Sequence, residues 1–182
     1  SGPAFEITKI LHKNLFETLI FLFLLIPNST HPVSLLYDAV EPAFENQVTI
    51  VVENGTRIIR SNGIPNHETG LFPGRGNPNA ISQQRYDFRV PAEPRIAEKP
   101  TPLRMQPFGV AVNGVVFDPG AAEWWQGDRS SGWQYEPLMM KPLFMGTDAS
   151  HAHVQPNGAY HYHGIPTALV AALTEGKEKM VI

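Results

Sequence analysis

The chain contains no cysteine. That excludes disulfides, thiolate metal ligands and thiol nucleophiles together, and it leaves the redox compartment open, because neither oxidising nor reducing conditions would matter to it. Charge is scarce as well. Only 17% of residues are charged and the formal net charge is −3, so no electrostatic surface for nucleic acid is implied. Long helical patterns are few, and no apolar run reaches the ~20 residues that a bilayer-spanning helix needs. No Ser/His/Asp arrangement stands out, and Gly74-Arg75-Gly76 has no strand before it or helix after it to make a phosphate loop. Any metal must be held by His, Asp, Glu, Met or water.

Proline and glycine, by contrast, are abundant, at 17 and 15 residues in a chain of 182. This points to a loop-rich fold of short strands, long enough for one domain with a real core and an appendage. The expected architecture is a mainly antiparallel β domain, sandwich-like or barrel-like, with an N-terminal hydrophobic helix and a short C-terminal helix. Three parts are expected: a hydrophobic segment over 1–27, a linker over 28–46 and the β domain over 47–182.

In the first part, Lys9, His12 and Lys13 precede the apolar residues from Leu15 to Ile26, and Pro27 ends the run. A basic stretch before a short apolar one is the signal-peptide pattern, although Asn28-Ser29-Thr30 offers no small-residue cleavage site. The expected location is therefore secreted, periplasmic or cell-surface. If retained, the segment is expected to mediate self-association, contact with a second chain or membrane contact through residues 15–26; a core helix is the alternative.

Two Asn-Gly pairs predict hairpins, one at Glu53-Asn54-Gly55-Thr56 and one at Asn113-Gly114 between Phe108–Val112 and Val115–Phe117. Arg85–Val90 alternates as a half-buried strand with Tyr86, Phe88 and Val90 inward. The proline- and glycine-rich segment from Ser61 to Pro78 must be a surface or site-lining loop, and it carries His67. Trp124, Trp125, Trp133 and Tyr135 are read as core aromatics in preference to a carbohydrate or quaternary-ammonium site. Met139, Met140 and Met145 are read mainly as gap fillers, with a thioether role toward Cu(I) the minor alternative. Pro166 to Glu175 predicts a short helix, with Thr167 as cap and Gly176 as stop.

Four of the seven histidines fall within His151-Ala-His153-Val-Gln-Pro-Asn-Gly-Ala-Tyr160-His161-Tyr162-His163. Gln155-Pro156-Asn157-Gly158 is a turn signal, since proline presets the first central position of a type I turn and glycine accepts the positive φ that follows. A three-residue loop with Gly158 in a G1 bulge puts His153 opposite His161 and His151 opposite His163. All four imidazoles then share one face, and Tyr160 and Tyr162 take the other. A two-residue loop would split the imidazoles between faces. The plainer alternative is an amphipathic strand whose histidines form a solvated face, but two His-x-His pairs facing each other across a tight turn favour a metal ion. Imidazole nitrogen suits copper or zinc and not calcium, which prefers oxygen. Asp148, three residues before His151, is a candidate extra ligand or imidazole orienter, and His67 is a candidate ligand delivered by its loop.

At these residues the chain resembles the YHYH domain family, named for the tetrapeptide present as Tyr160-His161-Tyr162-His163. Asn62-Gly-Ile-Pro-Asn-His67, Gly109-Val-Ala-Val-Asn-Gly-Val115, Gly146-Thr-Asp148 and Ala152-His153-Val-Gln-Pro-Asn-Gly look like further family segments in the expected order. The resemblance implies that His153, His161 and His163 are the functional histidines, with His67 and Asp148 as companions; His151 is less typical. It implies a site and no particular reaction. Family members continue past the point where this chain stops, which suggests a fragment, a second polypeptide or a shortened variant.

Three functions follow as expectations. The first is a secreted metal-binding domain without turnover. The second is a metal-dependent enzyme, hydrolytic with zinc or redox with copper, in which three histidines leave a position for water and His67, Asp148 or Glu123 handles the proton. The third is a structural subunit of an extracellular assembly.

Overall fold

Asn54 and Gly55 adopt left-handed backbone angles, φ 49° and 73°, and so fold the clearest predicted hairpin of the chain. The computed structural model describes residues 39–102, 105–139 and 145–174. The expected N-terminal helix, the 15–26 run, Met140 and the helix stop at Gly176 lie outside them. In that first hairpin β1 (Val48–Glu53) pairs with β2 (Thr56–Ser61), with Glu53 directly opposite Thr56. This is the two-residue loop whose twist matches the strands it joins. Antiparallel β3 (Tyr86–Pro91) completes a three-stranded sheet in the order β1-β2-β3.

The second sheet contains β4 (Gly109–Val110), β5 (Val116–Phe117), β6 (Ala152–Val154) and β7 (Tyr160–Tyr162) in the order β4-β5-β7-β6. It is mixed. β5 runs parallel to β7, with Val116 opposite His161 and Phe117 opposite Tyr162, while the other pairs are antiparallel. Helix α1 (Thr167–Thr174) follows; the Thr167 hydroxyl donates to the Ala149 carbonyl (2.7 Å) and Ala168 N–H to the Ser150 hydroxyl (3.3 Å). The fold is thus mainly β with a short C-terminal helix, as expected, and among the described residues neither sheet closes into a barrel. No described helix is long and apolar enough to cross a membrane.

The Asn113-Gly114 hairpin forms with one residue more in its loop than a simple Asn-Gly pair supplies. Gly114 N–H donates to the Ala111 carbonyl and Ala111 N–H to the Val115 carbonyl, each at 2.8 Å, so Val112 leaves the strand. One local and one tertiary bond account for this: Asn113 Oδ1 accepts from Val115 N–H (3.3 Å), and the Ser61 hydroxyl donates to the Gly114 carbonyl (2.9 Å). The same hydroxyl accepts from Gly63 N–H (2.8 Å) and so ties the end of β2 to the second sheet.

The core gathers Ala111, Val115, Ala152, Val154, Tyr160, Tyr162 and Leu169, with Phe72, Ile81 and Phe117 packed against it. Residues 62–85, between β2 and β3, cover the outer edge of β6. Asn77 and Asn79 both donate side-chain N–H to the Val154 carbonyl (2.9 and 2.8 Å), and Ser82 N–H donates to Gly158 (2.9 Å). An edge carbonyl that could pair with another chain is thereby occupied.

Two expectations need correction. Val90 is 41% exposed, whereas Tyr86 and Phe88 are half-buried. Trp125 and Trp133 are 50% and 74% exposed, because their segment is built from isolated single turns, Trp125–Gly127 and Arg129–Ser131, with no strand period to direct the rings inward. Arg129 instead lies over Trp124, 5.5 Å from the ring centre.

Candidate metal centre

The histidine hairpin depends on its loop. Gly158 N–H donates to the Gln155 carbonyl (2.8 Å), Gln155 N–H to the Ala159 carbonyl (3.0 Å), and Gly158 adopts φ +84°. Asn157 Oδ1 accepts from Ala159 N–H (3.1 Å), the same device that Asn113 uses. Glycine is needed twice over at 158, since a Cβ there would also run into the Ser82 hydroxyl. The resulting G1 bulge sets His153 opposite His161 and Val154 opposite Tyr160, and because strand side chains alternate, His153, His161 and His163 share one face.

On that face the three rings converge. His161 Nε2 and His163 Nε2 are 3.0 Å apart, as are His163 Nε2 and His153 Nε2. One nitrogen from each ring falls within 4.8 Å of the others. All three are enclosed, with relative exposures of 9% for His153, 2% for His161 and 7% for His163, so this is no solvated outer face. His153 Nδ1 lies 2.6 Å from the Met145 carbonyl and His161 Nδ1 lies 3.2 Å from the Ala159 carbonyl. A carbonyl can only accept, so both Nδ1 atoms carry the proton and both Nε2 atoms present lone pairs. His163 Nδ1 is buried without a hydrogen-bond partner; the Pro119 carbonyl favours its protonated ring but lies outside hydrogen-bond geometry.

Burial, and after it the neighbouring rings of His163 and His153, pushes the His161 imidazole down to about 3, against smaller opposing effects of the Ala159 carbonyl and Asp118. Burial and the His153 ring push His163 down to about 4. Both are neutral at pH 7, the form in which imidazole binds metal.

The other sequence candidates lie elsewhere. His151 takes φ 54° just before β6 begins, which breaks the alternation that would have put a fourth imidazole on the same face. Its Nδ1 donates to the Ile165 carbonyl (2.8 Å), while its own carbonyl receives His163 N–H (2.8 Å). His67 is on the tyrosine face, where its Nε2 accepts from the Tyr162 hydroxyl (2.7 Å) and its Nδ1 donates to the Glu68 carbonyl (2.7 Å). Asp148 is buried and shapes the entry to β6. Oδ1 accepts from Ser150 and Ala152 N–H (2.9 and 3.2 Å), and Oδ2 from Gly70 N–H (3.1 Å) and the Tyr160 hydroxyl (2.7 Å). Met145 meets the cluster through its carbonyl, and Met139 is 84% exposed. Glu123 is not in the histidine group.

One residue that sequence reading grouped with the tryptophans, and did not link to the histidines, joins the histidine face. Phe117 packs on Tyr162, with ring centres 5.4 Å apart, so the next residue, Asp118, points the opposite way. Its N–H donates to the Tyr162 carbonyl (3.0 Å), extending the parallel ladder. Gln155, two residues after His153 and on the same face, donates to Asp118 Oδ2 (3.1 Å), and the carboxylate stabilises charge on His161. Only the β5–β7 parallel pairing, which the sequence does not reveal, brings Asp118 here.

A sequence model of the family described as YHYH protein matches residues 87–182. The chain belongs to the YHYH protein family. The matched span contains the three convergent histidines, Asp118 and Asp148, and it starts downstream of His67. No curated protein and no solved structure matches the chain. In the YHYH tetrapeptide itself, the two tyrosines supply the core face and the two histidines supply two-thirds of the cluster.

Proposed function

We propose that this YHYH domain holds one divalent transition-metal ion, copper or zinc, through Nε2 of His153, His161 and His163. The observation that carries this reading is the pair of 3.0 Å Nε2–Nε2 separations in a buried site. A neutral imidazole has one N–H, and on His153 and His161 it is committed to a carbonyl. His163 Nε2 can donate to one of them at a time, so without a cation at least one buried lone pair is left without a donor. A metal ion takes all three lone pairs and leaves His163 Nδ1 to carry its proton toward Pro119. With metal–nitrogen bonds of about 2.1 Å, a 3.0 Å separation corresponds to about 90° at the metal, and a tetrahedral angle needs about 3.4 Å. A small opening of the rings therefore spans the geometries of both metals. His67, His151 and Asp148 then hold the frame.

Elemental analysis of untagged protein purified without added metal tests this, comparing wild type with a His161→Ala/His163→Ala variant whose folding is checked by circular dichroism. About one equivalent of copper or zinc in the wild type, lost in the variant, is expected; a folded wild type that takes up no metal on reconstitution would overturn the reading. Three ligands leave a position open, and the carboxylate of Asp118 on the same face favours metal-dependent chemistry as the second reading. From the pattern of residues 1–27 we further propose export and self-association, to be tested by cell fractionation and by size measurement with and without that segment.

A further inference from the structure

Asp118 is 8% exposed, and a buried carboxylate is ordinarily paired with a cation. Here it is not. The salt bridges among the described residues, Arg60–Asp87 and Arg89–Asp87, do not involve it, and its one described side-chain partner is the neutral amide of Gln155. The neighbouring titratable groups that sense it are His161 and the Tyr86 phenol, which burial and then Asp118 push up. Two unmet requirements therefore coincide on one sheet face: a buried carboxylate with no cation among the described residues, and imidazole lone pairs with too few donors. Asp118 is not in the group of ligand atoms that lie within 4.8 Å of one another, so in this geometry it is a neighbour of the three nitrogens and not a fourth member. Three neutral imidazoles leave a divalent ion with its full double charge, and a fixed carboxylate nearby compensates part of it.

We propose that Asp118, oriented by Gln155, determines which ligand the fourth position of the centre accepts, favouring a neutral hydrogen-bond donor such as water and disfavouring small anions. This rests on the three-histidine reading above. A carboxylate beside the position accepts a hydrogen bond from bound water and repels a second negative charge brought to the metal. The two effects have opposite signs on removal of the charge. Asp118→Asn weakens metal binding and strengthens anion binding, a crossing that a purely structural role would not produce.

The test loads the full chain with Co²⁺ as a coloured probe and titrates azide, following the visible spectrum, in wild type, Asp118→Asn, Asp118→Glu and Gln155→Leu. Expected is Co²⁺ affinity about 10–100-fold weaker in Asp118→Asn with azide affinity about tenfold tighter. Asp118→Glu should remain nearer wild type, and Gln155→Leu should shift both quantities in the Asn direction by less. Unchanged azide affinity in a folded Asp118→Asn protein overturns the proposal. So does complete loss of metal from it, which would make Asp118 a direct ligand. Failure of the wild type to bind Co²⁺ at all is a separate result that removes the metal centre itself. If Asp118→Asn does not fold, Gln155→Leu, which keeps the charge but frees it, decides by the same crossed response.

Discussion

On one face of the β6–β7 hairpin, the Tyr160 hydroxyl donates to Asp148, and the Tyr162 hydroxyl lies between His67 and Asn113. On the other, three imidazoles meet through nitrogens 3.0 Å apart. The strands are the same and both faces are enclosed. The tyrosine face ends every buried polar group on a protein partner and so contributes to the stability of the fold. The histidine face leaves at least one imidazole lone pair without a donor, which costs stability in the isolated chain. An arrangement that is unfavourable alone and has a ready external remedy is the mark of a binding site.

The sharpest way to break the comparison is to remove one histidine. His163→Ala should lower zinc or copper affinity by well over the about 10–100-fold that loss of an outer partner costs, measured by competition with a chelator of known affinity. His161→Leu should lower it comparably, and yet the metal-free protein should melt no earlier, since a buried polar ring is replaced by an apolar side chain of similar size. A metal-free His161→Leu protein that melts several degrees earlier would show that the imidazole has an internal structural role, and the contrast between the faces would fail.

Acid separates the faces next. His161 and His163 titrate at about 3 and about 4 in the folded chain and at about 6.5 when unfolded. Their folded values are depressed, so as pH falls the unfolded chain takes up protons first. Stability of the metal-free protein is therefore full above about pH 6.5 and declines below it, levelling off only near pH 3–4. At pH 5 each histidine should account for about 2 kcal/mol. Denaturant midpoints at pH 7 and 5 measure this, and His161→Leu/His163→Leu should lose most of the difference. An equal decline in that variant would place the titration elsewhere. The tyrosines cannot supply it, because burial pushes both phenols upward, away from this range.

Asp148 provides the reciprocal case on the tyrosine side. Its carboxylate accepts from three backbone N–H groups and one hydroxyl, so Asp148→Ala should destabilise the fold by about 3 kcal/mol or more. Chemical denaturation reads that loss directly. Metal affinity, measured where the variant is still folded, should fall by less than for any of the three histidines. A folded Asp148→Ala protein that loses its metal as completely as His163→Ala would make Asp148 a ligand.

What was legible in the sequence divides along similar lines. Local turn chemistry was readable: Asn54-Gly55 gave its hairpin, and Pro156-Asn157-Gly158 gave the bulge, the register and hence the face shared by His153, His161 and His163. The face of His151 was misassigned because one residue with positive φ ends the alternation, and nothing in Ser-His-Ala announces it. Val112 was taken for strand because the two-residue and three-residue loops ending in Asn-Gly differ only by tertiary bonds, here those of Ser61. The tryptophans at 125 and 133 were placed in the core because ring size says nothing about whether a strand period exists to bury them. Asp118 escaped because parallel pairing between β5 and β7 is a non-local contact. The resemblance to YHYH proteins named His67 and Asp148 as companions of the histidines at a metal site, and the structure places both on the tyrosine side of the same two strands.

The smallest expected effect tests the tyrosine face where it is best buffered. The Tyr162 hydroxyl accepts from Asn113 (2.9 Å) and donates to His67 (2.7 Å). Removing it strands neither partner fully: Asn113 still donates to Asn66 Oδ1 (3.1 Å), and His67, only partly buried, can turn to water. Tyr162→Phe should therefore cost about 1 kcal/mol, less than Tyr160→Phe, which takes from the buried Asp148 Oδ2 one of its two donors. Metal affinity should stay within a few-fold of wild type in both, because the rings that bind it point the other way. Calorimetric melting and chelator competition on the same samples give both numbers. A tenfold loss of affinity in Tyr162→Phe would mean that the hydroxyl network positions the neighbouring histidines through the backbone, and the two faces would have to be treated as one site.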